Sequence, residues 1–159
     1  MSRSALDAFD RKLLALVQRD ASRSADALAD AVGLSPSAVL RRLKRLREQN
    51  VILAEIAVVD PAKVGKPNFF LAALEIERER PEHIARLRQW LAAEEWIQQV
   101  YYVTGTADFM LVVVAPDVGA YDALMSRLMA DNPNVRRFTT NVALGVGKRS
   151  LFVPVDPAD

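Results

Sequence analysis

The stretch Val32-Gly33-Leu34-Ser35-Pro36-Ser37-Ala38-Val39-Leu40-Arg41-Arg42-Leu43-Lys44-Arg45-Leu46-Arg47 decides how the first third of the chain is read. Ser35 can accept from the free amides of a helix start, and Pro36 at the first helical position forfeits no hydrogen bond, so a helix begins here. Val39, Leu43 and Leu46 form its inward stripe. Ser37, Ala38, Leu40, Arg41, Arg42, Lys44 and Arg45 remain for its other faces. Upstream, Gly33 ends a shorter helix that Ser24 caps, with Asp26 near its positive end and Leu28 and Val32 inward. Leu6, Phe9, Leu13, Leu16 and Val17 recur at helical spacing, which predicts a first helix over residues 6–19. Asn50 closes the third helix. Val51–Leu53 and Glu55–Val59 then read as two short strands, a wing.

Two helices joined by a tight glycine turn, the second of them basic, have the shape that enters a major groove. Between Ser35 and Arg47 there are five cations (Arg41, Arg42, Lys44, Arg45, Arg47) and no acid. Small groups at the leading turn let short hydroxyls approach base edges, and the cations behind them reach phosphates or guanine. A solvated basic face on an ordinary three-helix bundle is the competing reading. Turn, small leading residues, uncompensated cations and wing together favour double-stranded DNA, with Ser35, Ser37, Ala38, Leu40, Arg41, Arg42, Lys44 and Arg45 as the contacting set.

Composition restricts the alternatives. The 159 residues carry 51% hydrophobic and 26% charged side chains and a net charge of +1, enough apolar material for a core and too little net charge for a disordered polyelectrolyte. Residues 1–60 hold ten Lys and Arg against eight Asp and Glu, so the two parts differ little in charge. There is no Cys, which removes disulfides, iron–sulfur clusters and thiol catalysis, and a single His, His83, cannot make a multi-histidine metal site. No cofactor and no enzymatic activity are expected. The longest apolar run, Phe109 to Ala115, is far shorter than the roughly 20 residues of a membrane span, and Met1–Val17 has acids among its apolar positions, unlike a signal-peptide core. Cytoplasm is the expected compartment.

Beyond a turn-rich connector at residues 61–67 the periodicity changes. Phe69–Ile76, Ile97–Val103, Asp108–Ala115 and Val135–Val146 read as strands, and Glu82–Glu94 and Asp117–Ala130 as helices. The order β-α-β-β-α-β is the ferredoxin-like arrangement, with Leu151–Val155 a candidate extra edge strand. Residues 1–60 are thus expected as a winged helix-turn-helix domain, 61–67 as a linker and 68–159 as the ferredoxin-like domain, an α+β chain. Both helices should cover one sheet face. Yet Phe69–Leu74 and Phe109–Val114 are apolar at both parities, which a monomer would leave exposed, so a second subunit is expected on the other face. A two-fold dimer also presents two reading helices.

Leu6-Asp7, Asp10-Arg11-Lys12-Leu13-Leu14, Val32-Gly33-Leu34-Ser35-Pro36, Arg42 with Leu46 and Val51-Ile52, and Val103-Thr104-Gly105 with Asp108 follow one another in order. On these segments the chain resembles the Lrp/AsnC (feast/famine) transcription regulators over nearly its full length. The resemblance implies a ligand-sensing role for the second domain, dimers that often assemble into octamers, and amino acids or related small molecules as effectors. Carried over by position, it points to Tyr102, Thr104, Gly105, Asp108, Val118 and Asn141 as effector residues. Turn amides can hold a carboxylate and Asp108 can accept from an ammonium. Many members have an acid and an aromatic residue between that Gly and Asp; here stand Thr106 and Ala107.

Three further features take plainer readings. Gly145-Val146-Gly147-Lys148 lacks the four-residue spacing and following helix of a phosphate loop and reads as a hairpin turn. His83 reads as a surface histidine. Glu77, Glu79 and Glu82 alternate with Arg78 and Arg80 as a solvated, charge-compensated loop. An oligomeric small-molecule binder, or a small enzyme on the same scaffold, is the alternative function.

Overall fold

The computed structural model describes residues 6–78 and 80–155, so Glu79 and the outer ends of both expected domains lie outside the described residues. Two compact units emerge: one joins the chain up to Val58 with the segment from Lys148 onward, and the other is Val59–Gly147.

The first unit holds α1 (Ala8–Val17), α2 (Ala25–Val32) and α3 (Pro36–Glu48). Each start is capped as its residues dictate. Asp7 and Asp10 exchange side-chain and backbone bonds in a capping box on α1, and Ser24 and Ser35 accept from Ala27 and Ala38 on α2 and α3. Gly33, at φ +75°, gives α2 its left-handed stop, and Asn50 at φ +55° follows α3. Leu13, Leu14, Leu28, Ala29, Val32, Val39, Leu43 and Leu46 form the core.

The wing expectation needs correction. Residues 53–60 form neither helix nor strand, and Leu53, Ile56 and Val58 are exposed with no strand paired to them among the described residues. Apolar alternation here marks an extended segment, but a strand requires a ladder partner for its amides.

The second unit is β1 (Asn68–Ile76), α4 (Pro81–Ala93), β2 (Ile97–Tyr102), β3 (Phe109–Ala115), α5 (Val118–Asp131) and β4 (Val135–Val142). The sheet order is β2-β3-β1-β4 with every neighbouring pair antiparallel, the ferredoxin-like topology. β4 ends sooner than expected. Leu151–Val155 joins no sheet and belongs to the first unit, against the edge-strand expectation.

Alternation separates the two sheet faces. Phe70, Ala72, Leu74, Phe109, Leu111 and Val113 are buried beneath Leu87 and Leu91 of α4 and Tyr121, Leu124, Met125 and Leu128 of α5. Phe70 stacks on Tyr121 at 4.1 Å between centroids. The other parity puts Leu71, exposed, beside half-buried Phe69, Ala73, Met110, Val112 and Val114 on a face that no helix of the unit covers. Among the described residues no helix is long and apolar enough to cross a membrane.

Candidate nucleic-acid interface and effector residues

The expectation of five uncompensated cations on α3 is not what the structure shows. Arg42 Nη1 donates to Asp7 Oδ2 at 2.6 Å and to Asp10 Oδ1 at 2.9 Å, and Arg45 Nη2 donates to Asp10 Oδ2. Arg47 donates to Glu55 at 2.6 Å. Lys44 lies 3.8 Å from Glu48, a pair whose side chains are both largely in solvent and therefore weak. Arg41 is exposed and has no ion pair among the described residues. The acids come from α1, from Glu48 at the end of α3 and from Glu55 in the extended segment, all outside residues 35–47, which is why a count restricted to that window misses them.

Asp10 organises this arrangement. It is 1% exposed, and its carboxylate accepts from two guanidiniums and from the Asp7 amide at 3.2 Å. A buried carboxylate is tolerable only with such partners, so α1 and α3 are locked in one register. Arg42 also lies over the ring of Phe9, at 5.4 Å from its centroid, and Phe9 itself is 37% exposed. The role of Asp7 and Asp10 escaped the sequence reading beyond their place in the family resemblance. One signal was available: Arg42 stands three residues after Val39 and four before Leu46, on the border of the buried stripe, where a cation needs a partner.

The outward side of α3 is consequently narrower than expected. Ser37, Leu40 (57% exposed), Arg41 and Lys44 form one exposed strip along the helix. Ser35 is occupied as the cap, its Oγ accepting from Ala38 N at 3.3 Å and lying 3.2 Å from Ser37 Oγ, and Ala38 is half-buried. Arg42 and Arg45 sit behind the strip.

The six expected effector residues do not converge within one protomer. Tyr102 lies on edge strand β2 and pairs with buried Phe109, hence on the helix-covered face. Asn141 lies on the opposite edge strand, β4, and pairs with Leu71 of the open face. Thr104 and Gly105 are in the β2–β3 loop, while Val118 opens α5 at the far end of β3, about 20 Å along the strand. Gly105 has φ +126°, a conformation few side chains accept. Asp108 fastens this loop to β1: its Oδ2 accepts from Ile76 N at 2.7 Å and its amide donates to Leu74 O at 2.9 Å. A cavity of about 310 Å³ lies between the start of α4 and the α5–β4 loop, lined by Glu82, His83, Leu87, Pro133 and Val135 among others, and none of the six borders it. His83 is exposed, as expected.

Residues 6–47 match the AsnC-type helix-turn-helix domain, and residues 70–151 match the Lrp/AsnC ligand binding domain. The chain belongs to the Lrp/AsnC family. Its function is that of a DNA-binding transcription regulator, with the reading helix in the first unit and the ligand-binding fold in the second. An HTH-type transcriptional regulator of Sinorhizobium fredii, y4tD, is 38% identical over 95% of this Lrp/AsnC chain and 89% of its own. The crystal structure of an AsnC family regulator from Agrobacterium tumefaciens superposes with a TM-score of 0.83 at 28% identity, covering 97% of each chain. A feast or famine regulatory protein from M. tuberculosis, solved in complex with L-methionine, gives a TM-score of 0.81 at 27% identity over 96% of this chain and 100% of that one. The segment Phe152–Val155 of this Lrp/AsnC regulator lies beyond both matched domains.

Two predictions follow from the buried carboxylate and its cap. Asp10→Ala removes the acceptor that Arg42 and Arg45 share, while Arg42 keeps Asp7, and should lower the stability of the first unit by about 1–3 kcal/mol in urea unfolding, whereas Arg41→Ala should stay within about 0.5 kcal/mol of the parent. The second concerns acid. The Asp10 amide, with Arg42 adding its charge, holds the Asp7 carboxyl below the usual aspartate range against the opposing effect of burial. Since the folded value is the lower one, this contribution is complete above the unfolded value, near pH 4, and is lost as pH falls through the folded value. Solvent screening keeps it small. Asp7→Asn, which keeps a capping oxygen, should flatten that part of the acid unfolding curve.

Proposed function

We propose that this regulator reads operator DNA through the exposed strip Ser37, Leu40, Arg41 and Lys44, while Arg42 and Arg45 orient α3 from behind. The single observation that supports this division is the pairing of Arg42 and Arg45 with buried Asp10, which directs their charge inward and leaves Arg41 and Lys44 facing solvent. The small groups lead into the groove, and the cations behind them engage phosphates.

The protein acts as a two-fold dimer closed over the open sheet face. Leu71, Val112 and Met110 are the kind of apolar surface that an isologous contact buries, at about 1.5–3 kcal/mol for each large side chain fully removed from water. Such dimers join into higher assemblies, and a small-molecule effector, an amino acid or related metabolite, binds where copies meet. Tyr102, Thr104, Gly105 and Asp108 of one protomer can be joined to Asn141 or Val118 only by another copy, because within a protomer they occupy opposite edges and ends of the sheet. With Oδ2 of Asp108 held by Ile76, an ammonium group is left Oδ1. The likeness to a regulator solved with L-methionine supports this effector class, and Thr106 and Ala107 set this chain's own selectivity within it. A chromosomal partner places its work in the cytoplasm.

Operator sites recovered by crosslinking and sequencing, then titrated with purified protein by fluorescence anisotropy, test the reading. Arg41→Ala should weaken binding to operator and nonspecific duplex alike and reduce the salt slope by about 1, the release expected for one phosphate, whereas Ser37→Ala should change the ranking of operators more than nonspecific affinity. An Arg41→Ala protein with unchanged slope removes that residue from the interface. Leu71→Asp should yield monomers in sedimentation with the α-helical content retained; an unchanged assembly would move the dimer contact elsewhere.

A further inference from the structure

One cavity of the second unit borders a polar group whose hydrogen bond the protein leaves unmade. The turn Asp131-Asn132-Pro133-Asn134 joins α5 to β4, and its other polar side chains are occupied. Asp131 Oδ2 accepts from Trp90 Nε1 at 2.9 Å, and the Asp131 carbonyl accepts from Arg86 Nη2 at 3.2 Å. Asn134 holds Arg78 twice, its Oδ1 accepting from Arg78 N at 3.2 Å and its Nδ2 donating to Arg78 O at 3.0 Å. Asn132 differs. It is 4% exposed and donates from Nδ2 to Leu128 O at 3.0 Å, which fixes the orientation of the amide and leaves Oδ1 without a donor among the described residues. Buried acceptors left unpaired are costly and rare in native proteins. Asn132 lines the cavity of about 310 Å³ between this turn and the start of α4.

We propose that this cavity binds a neutral, largely apolar small molecule through a single N–H or O–H donated to Asn132 Oδ1. The walls account for each part of that description. Leu87, Pro133 and Val135 supply apolar surface for the body of the ligand. At the rim Glu82 and Arg86, one helical turn apart and both exposed, carry opposite charges, so a ligand of either net charge meets a like charge along with an unlike one. The volume stands at the lower end for small-molecule pockets, suited to a single or fused aromatic ring and too small for a nucleotide. Local structure shapes the site from two sides. Arg86 ties α4 to the turn through the Asp131 carbonyl, and β4 bulges next to Val135, with Glu75 paired to Arg137 but Ile76 to Val135, so that Arg136 is the extra residue. Bulges recur beside functional sites because they re-aim the strand that carries them. Every lining residue belongs to the unit Val59–Gly147 of one protomer, and none of the six residues assigned to the effector is among them. Occupancy of this second site therefore needs neither DNA nor assembly, and the inference does not rest on the regulator reading.

Equilibrium dialysis of the full-length protein against three probes tests the assignment. Indole and 3-methylindole are neutral and carry one N–H; 1-methylindole matches the second in size but has lost that donor. Indole should bind once per chain with a dissociation constant on the order of 0.1–1 mM, as expected of so few atoms. The affinity for 1-methylindole should be about threefold to tenfold below that for 3-methylindole, the range spanned by one hydrogen bond. Asn132→Ala should abolish this difference even where it weakens all three probes. His83→Trp, at an exposed position of the lining, should weaken indole about tenfold by crowding the space while leaving the core of the unit untouched. Absence of indole binding up to about ten times the expected constant overturns the site. Equal affinity of the parent for the two methylindoles overturns the role of Asn132, and this comparison decides the matter without any variant, so a failure of Asn132→Ala to fold does not shield the proposal. A preference for 3-methylindole that persists in Asn132→Ala, or indole binding unchanged in His83→Trp, places the ligand elsewhere and overturns it as well.

Discussion

A single buried carboxylate sets the geometry of the DNA-reading unit. Asp10 is withdrawn from water almost completely, and two guanidiniums and a backbone amide satisfy its carboxylate oxygens there. The pairing does more than hold α1 to α3. It divides the cations of α3 into those turned inward, which orient the helix, and those left at the surface, which are available to a polyanion. Formal charge along a helix is therefore a poor measure of the charge it presents: the number of basic residues in α3 is set by sequence, but their direction is set by an acid on another helix.

The second unit resolves a similar ambiguity by alternation. Strands apolar at both parities give the sheet one apolar face inside the unit and one outside it. One parity packs beneath α4 and α5 and makes the core of the unit; the other, centred on Leu71 and Val112, is covered by no helix of that unit and is the face assigned above to the proposed dimer. Dispersal of the candidate effector residues over both edges and both ends of the sheet fits the same economy, since assembly would bring together what folding keeps apart. In the proposed assembly, ligand binding and association are linked equilibria, and a ligand would shift DNA affinity only as far as it prefers one assembly.

Much of this was legible in the residues themselves wherever the determining interactions are local. Ser24, Ser35 and Pro36 start helices, Gly33 stops one, and the 3.6-residue spacing of Val39, Leu43 and Leu46 names the buried side, all through contacts within a turn or two of chain. The order of strands and helices after residue 67 follows from periodicity and a short list of allowed connections. The outward placement of Ser37, Leu40, Arg41 and Lys44 was contained in the same spacing.

What only the tertiary structure decided involves residues far apart in the chain. Arg42 meets Asp10 across a separation of 32 residues, and Gln18 meets Val153 across 135. No local preference encodes such pairings, because each depends on where whole helices come to rest. The same reason accounts for the expected wing, whose alternating residues have no ladder partner among the described residues, and for Leu151–Val155, whose strand-like composition says nothing of which unit will receive it. Composition and spacing determined which elements form and which faces are apolar; burial and long-range pairing decided which charges face the solvent and where the end of the chain is anchored.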